Sequence, residues 1–285
     1  MRKQRNLPSN FDSPLNIPEG RSGKFTIEHK TIEPGTEMDV VSMRTALFTR
    51  QRPVKVIFEV PARFHFLKES GRTWMSDVPV EQYSHQPVVD TLEGNVLIGG
   101  LGLGYIVKKL AMKDSVTSIT VVEKSTNVIT LVWKHLDVEP KAKIVHMDLF
   151  KFLKKNTDKF DYAFYDIWSG DGEAVLKEYV LPLRELTEPF VKSEKRILCW
   201  QEDVMRGQTR VSLSSIVQMN YDVMLKLSDK KFKDWFEDGW HNHLKAFWNW
   251  VRTEKPTQDK ALAEVPLYTD TFGMKSWRKR WSKWL

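Results

Sequence analysis

The sequence predicts an α/β fold in which a mostly parallel sheet carries helices on both faces. Three observations predict it. An apolar strand runs into a glycine-rich turn and then into an apolar-periodic helix at Asn95 to Ile106, NVLIGGLGLGYI. Three further apolar strands follow, each ending in an acid. Between them the apolar residues recur at helical spacing, and such strand–helix alternation implies parallel strands joined by right-handed crossovers.

The elements follow in order. Gly100, Gly102 and Gly104 allow positive φ and close approach of the backbone to a ligand, and the helix opening at about Tyr105 directs its unsatisfied N–H groups at the same space. A dinucleotide fingerprint needs a small third residue, and counting from Gly100 that position is Tyr105, too large for the packing it requires. The second strand, ITVVEK (Ile119 to Lys124), delivers Glu123 about 20 residues after the glycines, where an acid can bind both hydroxyls of a ribose. The third, IVHMD (Ile144 to Asp148), ends in Asp148. The fourth, DYAFYDIW (Asp161 to Trp168), brings Asp166 and Trp168 to the carboxyl edge of the sheet, where open α/β sheets bind ligands. Each acid alone also fits a helix cap or a solvated strand end. Together, four strand-end signals in order mark a nucleoside-type site. Val128, Ile129, Leu131, Val132 and Leu136 form one buried helical face, and Val175, Leu176, Tyr179, Val180 and Leu183 another. Arg196 to Trp200 is the last strand; the antiparallel hairpin that often closes such sheets is not evident.

With 285 residues, 41% of them apolar, the chain can bury one large core and an appendage. A single cysteine, Cys199, excludes an intramolecular disulfide and any cysteine zinc cluster, and no metal site is expected. The first residues, MRKQRNLPSNFDSPL, lack a signal-like apolar core, and no window approaches a membrane span, so a soluble cytoplasmic protein is expected. Residues 1–23 read as a basic arm, flexible or pinned on another surface, and 24–75 as a β-rich extension, with Phe25, Ile27 and His29, then Val54, Val56, Phe58 and Val60, alternating along strands. Residues 76–226 form the cofactor-binding domain and 227–285 a helical, tryptophan-rich basic region packed on it. There Phe232, Trp235, Phe236, Trp240, Leu244, Phe247, Trp248 and Val251 share an amphipathic face. In the tail, Trp277, Trp281, Trp284 and Leu285 lie opposite Lys275, Arg278, Lys279, Arg280 and Lys283. The tail can dock its tryptophans on its own chain, the default reading, or bind nucleic acid; the net charge of +7 does not decide. Homo-oligomerisation is left open.

The Gly-x-Gly-x-Gly spacing resembles the first motif of the class I S-adenosylmethionine (SAM)-dependent methyltransferases, whose fold is Rossmann-like. WMSDVPVEQ (Trp74 to Gln82), VLIGGLGLGY, VVEKSTNVITLV and DYAFYDIW resemble a group of phage- and bacteria-encoded methyltransferase-like proteins, over about Arg72 to Trp200. The resemblance implies SAM as cofactor, held by Gly100, Leu101, Gly102, Gly104, Glu123, Lys124, Met147, Asp148 and Asp166, with Asp148 and Met147 at the adenine. It implies a cytoplasmic setting, the host's if the chain is phage-encoded. More distantly, the chain is similar to the polyamine aminopropyltransferases, or spermidine synthases, which share an N-terminal β extension and an E-x-x-x-H stretch, here Glu81 and His85.

Two departures from spermidine synthase matter: Gly102 and Ser169 stand where that family has acids. Decarboxylated SAM presents a bare ammonium to such acids, whereas ordinary SAM carries a carboxylate that suits backbone N–H donors. Ile98 departs the other way, since many methyltransferases carry an acid there. The expected function is therefore methyl transfer from SAM to an unidentified amine or hydroxyl acceptor, small or macromolecular, with Asp166 as the catalytic residue, either the base or the group that orients the acceptor, and Glu81, His85 and Trp168 at the acceptor. Polyamine aminopropyl transfer is one alternative; a non-catalytic SAM-fold assembly protein with nucleic-acid affinity is another. DNA base methylation is disfavoured, because no Asn/Asp-Pro-Pro-Tyr/Phe segment is present to hold a flipped base.

Overall fold

The computed structural model describes residues 5–7, 13–41, 54–169 and 175–206. By its contacts the chain divides into Met1–Val204 and Met205–Leu285, and the strands and helices named here fall in the first unit. The expected aromatic helical face and basic tail lie outside the described residues.

Seven strands precede the glycine loop: β1 (Arg5–Leu7), β2 (Gly20–Ser22), β3 (Phe25–Ile32), β4 (Glu37–Val41), β5 (Val54–Ile57), β6 (Ala62–Glu69) and β7 (Arg72–Ser76). They form an antiparallel sheet in the order β2-β3-β6-β7 and a smaller mixed sheet in the order β1-β5-β4, in which β1 runs parallel to β5. In β3 the expected alternation is present, with Phe25 and Ile27 buried and Glu28 exposed. Val60 is the exception at 58% exposure, because β5 stops at Ile57 and Val60 lies in the turn before Pro61. Part of the expected arm is pinned. Leu15 and Ile17 are buried in one cluster with Phe25, Ile27 and Leu67 and with Val96, Ile98 and Leu103 of the later domain, while Ser13 donates to the Asp77 carboxylate. This shared apolar core is why the β-rich extension and the parallel sheet form one unit.

The second half of the unit runs α1 (Pro79–Thr91), β8 (Gly94–Gly99), α2 (Tyr105–Ala111), β9 (Val116–Glu123), α3 (Thr126–Val132), β10 (Ala142–His146), α4 (Leu149–Lys155) and β11 (Tyr162–Tyr165). A π-helical turn, Leu176–Val180, then leads into α5 (Leu181–Thr187), and β12 (Ile197–Cys199) follows. The five strands pair in the order β10-β9-β8-β11-β12, all parallel. Flanked by helices, they make a Rossmann-like α/β fold. Val96, Leu97, Val121 and Ala163 are fully buried, as central parallel strands covered on both faces must be. Two helices start on side-chain caps, α3 on Ser125, which accepts from Val128 N–H, and α4 on Asp148, which accepts from Lys151 N–H. Lysines close the far ends of α1 and α2: Lys113 Nζ donates to the carbonyls of Val89 and Leu92, and Lys141 Nζ to those of Ala111 and Lys113. Among the described residues no helix is long and apolar enough to cross a membrane, and no cluster of His, Cys, Asp and Glu could hold a metal.

Candidate functional site

The strand order fixes where a ligand can enter. From β8 the chain builds outward to β9 and β10 on one side and returns to β11 and β12 on the other, so the carboxyl ends of β8 and β11 meet at a topological switch point. A cavity of about 340 Å³ opens there. Around it the structure brings together Gly100, Leu101 and Gly102 after β8, Glu123 and Lys124 after β9, Met147 and Asp148 after β10, and Asp166 after β11, with His85 reaching in from α1. Three other residues singled out in the sequence do not line it. Gly104 opens α2 and packs toward Leu136, Glu81 lies one turn before His85 on α1, and Trp168 is buried against Tyr179, with ring centroids 6.4 Å apart.

The glycine loop is shaped by the protein as much as by any ligand. Gly100 has φ +93°, and a Cβ there would lie 2.5 Å from the backbone oxygen of Asp166, so the ends of β8 and β11 pack backbone to backbone. At Gly102, φ +51°, a Cβ would collide with Met75 Sδ. Met75, from β7, lines the cavity and accepts the Leu103 N–H at 3.1 Å. Gly102→Ala should therefore lower thermal stability through both the clash and the left-handed backbone, and made in a Met75→Ala background the same change should cost only the backbone part, about 1–2 kcal/mol. Unfolding curves showing that the two losses simply add would disprove the coupling.

Glu123 is 8% exposed and braces the loop: Oε2 accepts from Leu101 N–H at 2.9 Å and Oε1 from Ser125 N–H at 2.7 Å. A carboxylate has about four acceptor positions, so capacity remains for two hydroxyls. Asp148 spends one oxygen, Oδ1, on the cap of α4.

Facing them, Asp166 Oδ2 lies 3.3 Å from His85 Nε2, and His85 Nδ1 lies 2.7 Å from the Glu81 carbonyl oxygen. Burial alone would lower the His85 pKa, but the neighbouring Asp166 and Glu81 outweigh it and the net shift is upward. Burial drives the Glu81 carboxyl up to about 7, with Asp166 adding to the rise and His85 opposing it. Tyr105 also lines the cavity, its phenol pushed up to about 12 by burial and then by Asp77. Trp74, 39% exposed, Met75, Phe150, Ile167 and Tyr179 also line it. Sequence reading gave these five no ligand role: apolar residues at a strand end or on a helical face look the same whether they pack a core or wall a cavity.

No family model and no curated protein matches the chain. Among solved structures it is similar to spermidine synthase bound to the transition-state analogue AdoDATO, at 20% identity over 45% of this chain and 47% of that one, with TM-score 0.36. Spermidine synthase from Thermotoga maritima gives 19% identity, 45% of each chain and TM-score 0.35. A proposed O-methyltransferase from Klebsiella pneumoniae gives 14% identity, 39% and 50% coverage and TM-score 0.30. The chain spans about half the length of each. The fold itself stands on the strand order and direction described above.

Proposed function

We propose that the protein is a SAM-dependent methyltransferase acting on an amine or hydroxyl acceptor. One observation carries the reading: the glycine loop, two acids with acceptor capacity to spare and Asp166 converge on a single cavity at the switch point of a parallel sheet. The donor set suits a nucleoside, and the cavity volume falls within the roughly 300–1,000 Å³ of small-molecule sites. Glu123 would hold the ribose hydroxyls, Asp148 the adenine amino group beside Met147, and the backbone of Gly100 to Gly102 the amino-acid end. When bound, SAM supplies a sulfonium methyl that is already electrophilic, so this chain's work is alignment, exclusion of water and removal of a proton. Asp166 would take that proton from the acceptor's nitrogen or oxygen.

Aminopropyl transfer is the weaker reading. The position that would need an acid to pair a bare ammonium is Gly102, and the space beside it is filled by the Met75 thioether. Calorimetry should accordingly find SAM or S-adenosylhomocysteine bound more tightly than decarboxylated SAM. Asp166→Asn should keep that affinity within about twofold while turnover falls, because the carboxylate acts on the acceptor and not on the donor. Tighter binding of decarboxylated SAM, or aminopropylated putrescine as product, would reverse the assignment.

A further inference from the structure

We propose that His85 is a positioning residue: as an imidazolium it holds the Asp166 carboxylate at the cavity wall in an ion pair and so fixes where the acceptor's proton is received. The word acceptor rests on the methyl-transfer reading; the pair itself rests on geometry alone.

His85 Nδ1 lies 2.7 Å from the Glu81 carbonyl oxygen, which can only accept, so Nδ1 carries a hydrogen. Nε2 lies 3.3 Å from Asp166 Oδ2. A neutral ring protonated at Nδ1 would aim a lone pair at an ionised carboxylate, two acceptors face to face. The contact is attractive only if one further proton lies between them.

The surroundings assign that proton to the ring. His85 stacks on Trp200, with centroids 6.2 Å apart and planes at 18°, and Phe164 and Tyr105 lie at 6.0 and 6.3 Å. An indole face stabilises a cation. Trp200 is itself held by its Nε1–H donating to Ser84 Oγ at 3.3 Å. Among the described residues, the ionisable groups facing the ring are Asp166 from the end of β11, Glu81 from its own helix and the Tyr105 phenol from α2; Phe164 and Trp200 carry no charge. No cation opposes protonation among them, which agrees with the upward shift of the ring's pKa.

The division of labour follows. The His85 side chain is 3% exposed and already donates both its protons, whereas the Asp166 side chain is 20% exposed along the cavity. Asp166 is therefore the group that can meet an acceptor. As the acceptor's N–H or O–H bond breaks, its proton forms an O–H bond on Asp166 while His85 keeps its own. The imidazolium then lacks its counter-charge, which favours return of the new proton from Asp166 to water.

The test is a long-range ¹H–¹⁵N spectrum of the histidine rings in the full chain, without ligand, from pH 5.5 to 9. His85 should show two protonated nitrogens at pH 7.5. In Asp166→Asn, which keeps the side-chain shape, its titration midpoint should fall by roughly 1 to 3 pH units, the usual effect of losing an adjacent opposite charge. A purely packing histidine would not respond in this way. A neutral His85 at pH 7.5 in the wild-type chain, or an unchanged midpoint in the variant, would overturn the proposal. A cationic His85 in a protein that binds no SAM would uphold the pair and overturn only the donor assignment.

Discussion

Glu123→Ala is expected to destabilise the fold before it affects any ligand. The carboxylate satisfies the backbone N–H groups of Leu101 and Ser125, one in the glycine loop and the other at the cap of α3. Leaving a buried donor unpaired costs roughly 1–3 kcal/mol, and with the Leu101 N–H buried and the Ser125 N–H half-buried the two together imply about 2–5 kcal/mol. For a unit of this size, that is a fall in melting temperature of about 4–20 °C in the absence of ligand. Glu123→Gln should lose about half as much, since its amide oxygen still accepts from one donor while its NH₂ opposes the other. A thermal scan giving the alanine variant a wild-type melting temperature would show that the brace contributes nothing. The result also bears on the ribose assignment: weakened binding by the alanine variant would report a collapsed loop as readily as a missing hydroxyl partner, so the glutamine variant is the sharper probe of Glu123 as a ligand.

That dual role shows which features were legible in the sequence. The parallel sheet could be read because its signals are local: apolar runs too short for helices, each closed by a glycine or an acid, and separated by helical periodicity. The acids at 123, 148 and 166 and the loop at 100–102 follow from position alone, since strand ends converge at a switch point whatever else the chain does. What was not legible comes from contacts distant in sequence. Met75 meets the loop from β7 and His85 meets Asp166 across 81 positions, and no local pattern announces either. Nor could a strand-end glutamate reveal that two backbone donors already occupy it. Leu15 and Ile17 were different. Spaced two apart between Pro14 and Pro18, they carried a strand-like alternation, which the polar and basic composition of the first 23 residues masked.

Glu81→Gln is expected to stabilise the protein, and only at higher pH. Burial raises the Glu81 carboxyl from its ordinary 4.5 to about 7, with Asp166 reinforcing the rise and the attraction of His85 reducing it. The folded chain thus holds this proton more strongly than the unfolded chain does. Any stability this brings is fully present below pH 4.5 and is lost as the pH rises through 7, where folding must bury a carboxylate that prefers water. The rise corresponds to at most about 3 kcal/mol, and since Glu81 is only partly buried a gain of about 2 kcal/mol for the neutral glutamine is the working figure. Urea unfolding at pH 4.5 and pH 8 separates the possibilities. Near-equal stabilities at pH 4.5 with the variant ahead at pH 8 support a titrating Glu81, whereas the same difference at both pH values would mean that the carboxyl is ionised throughout.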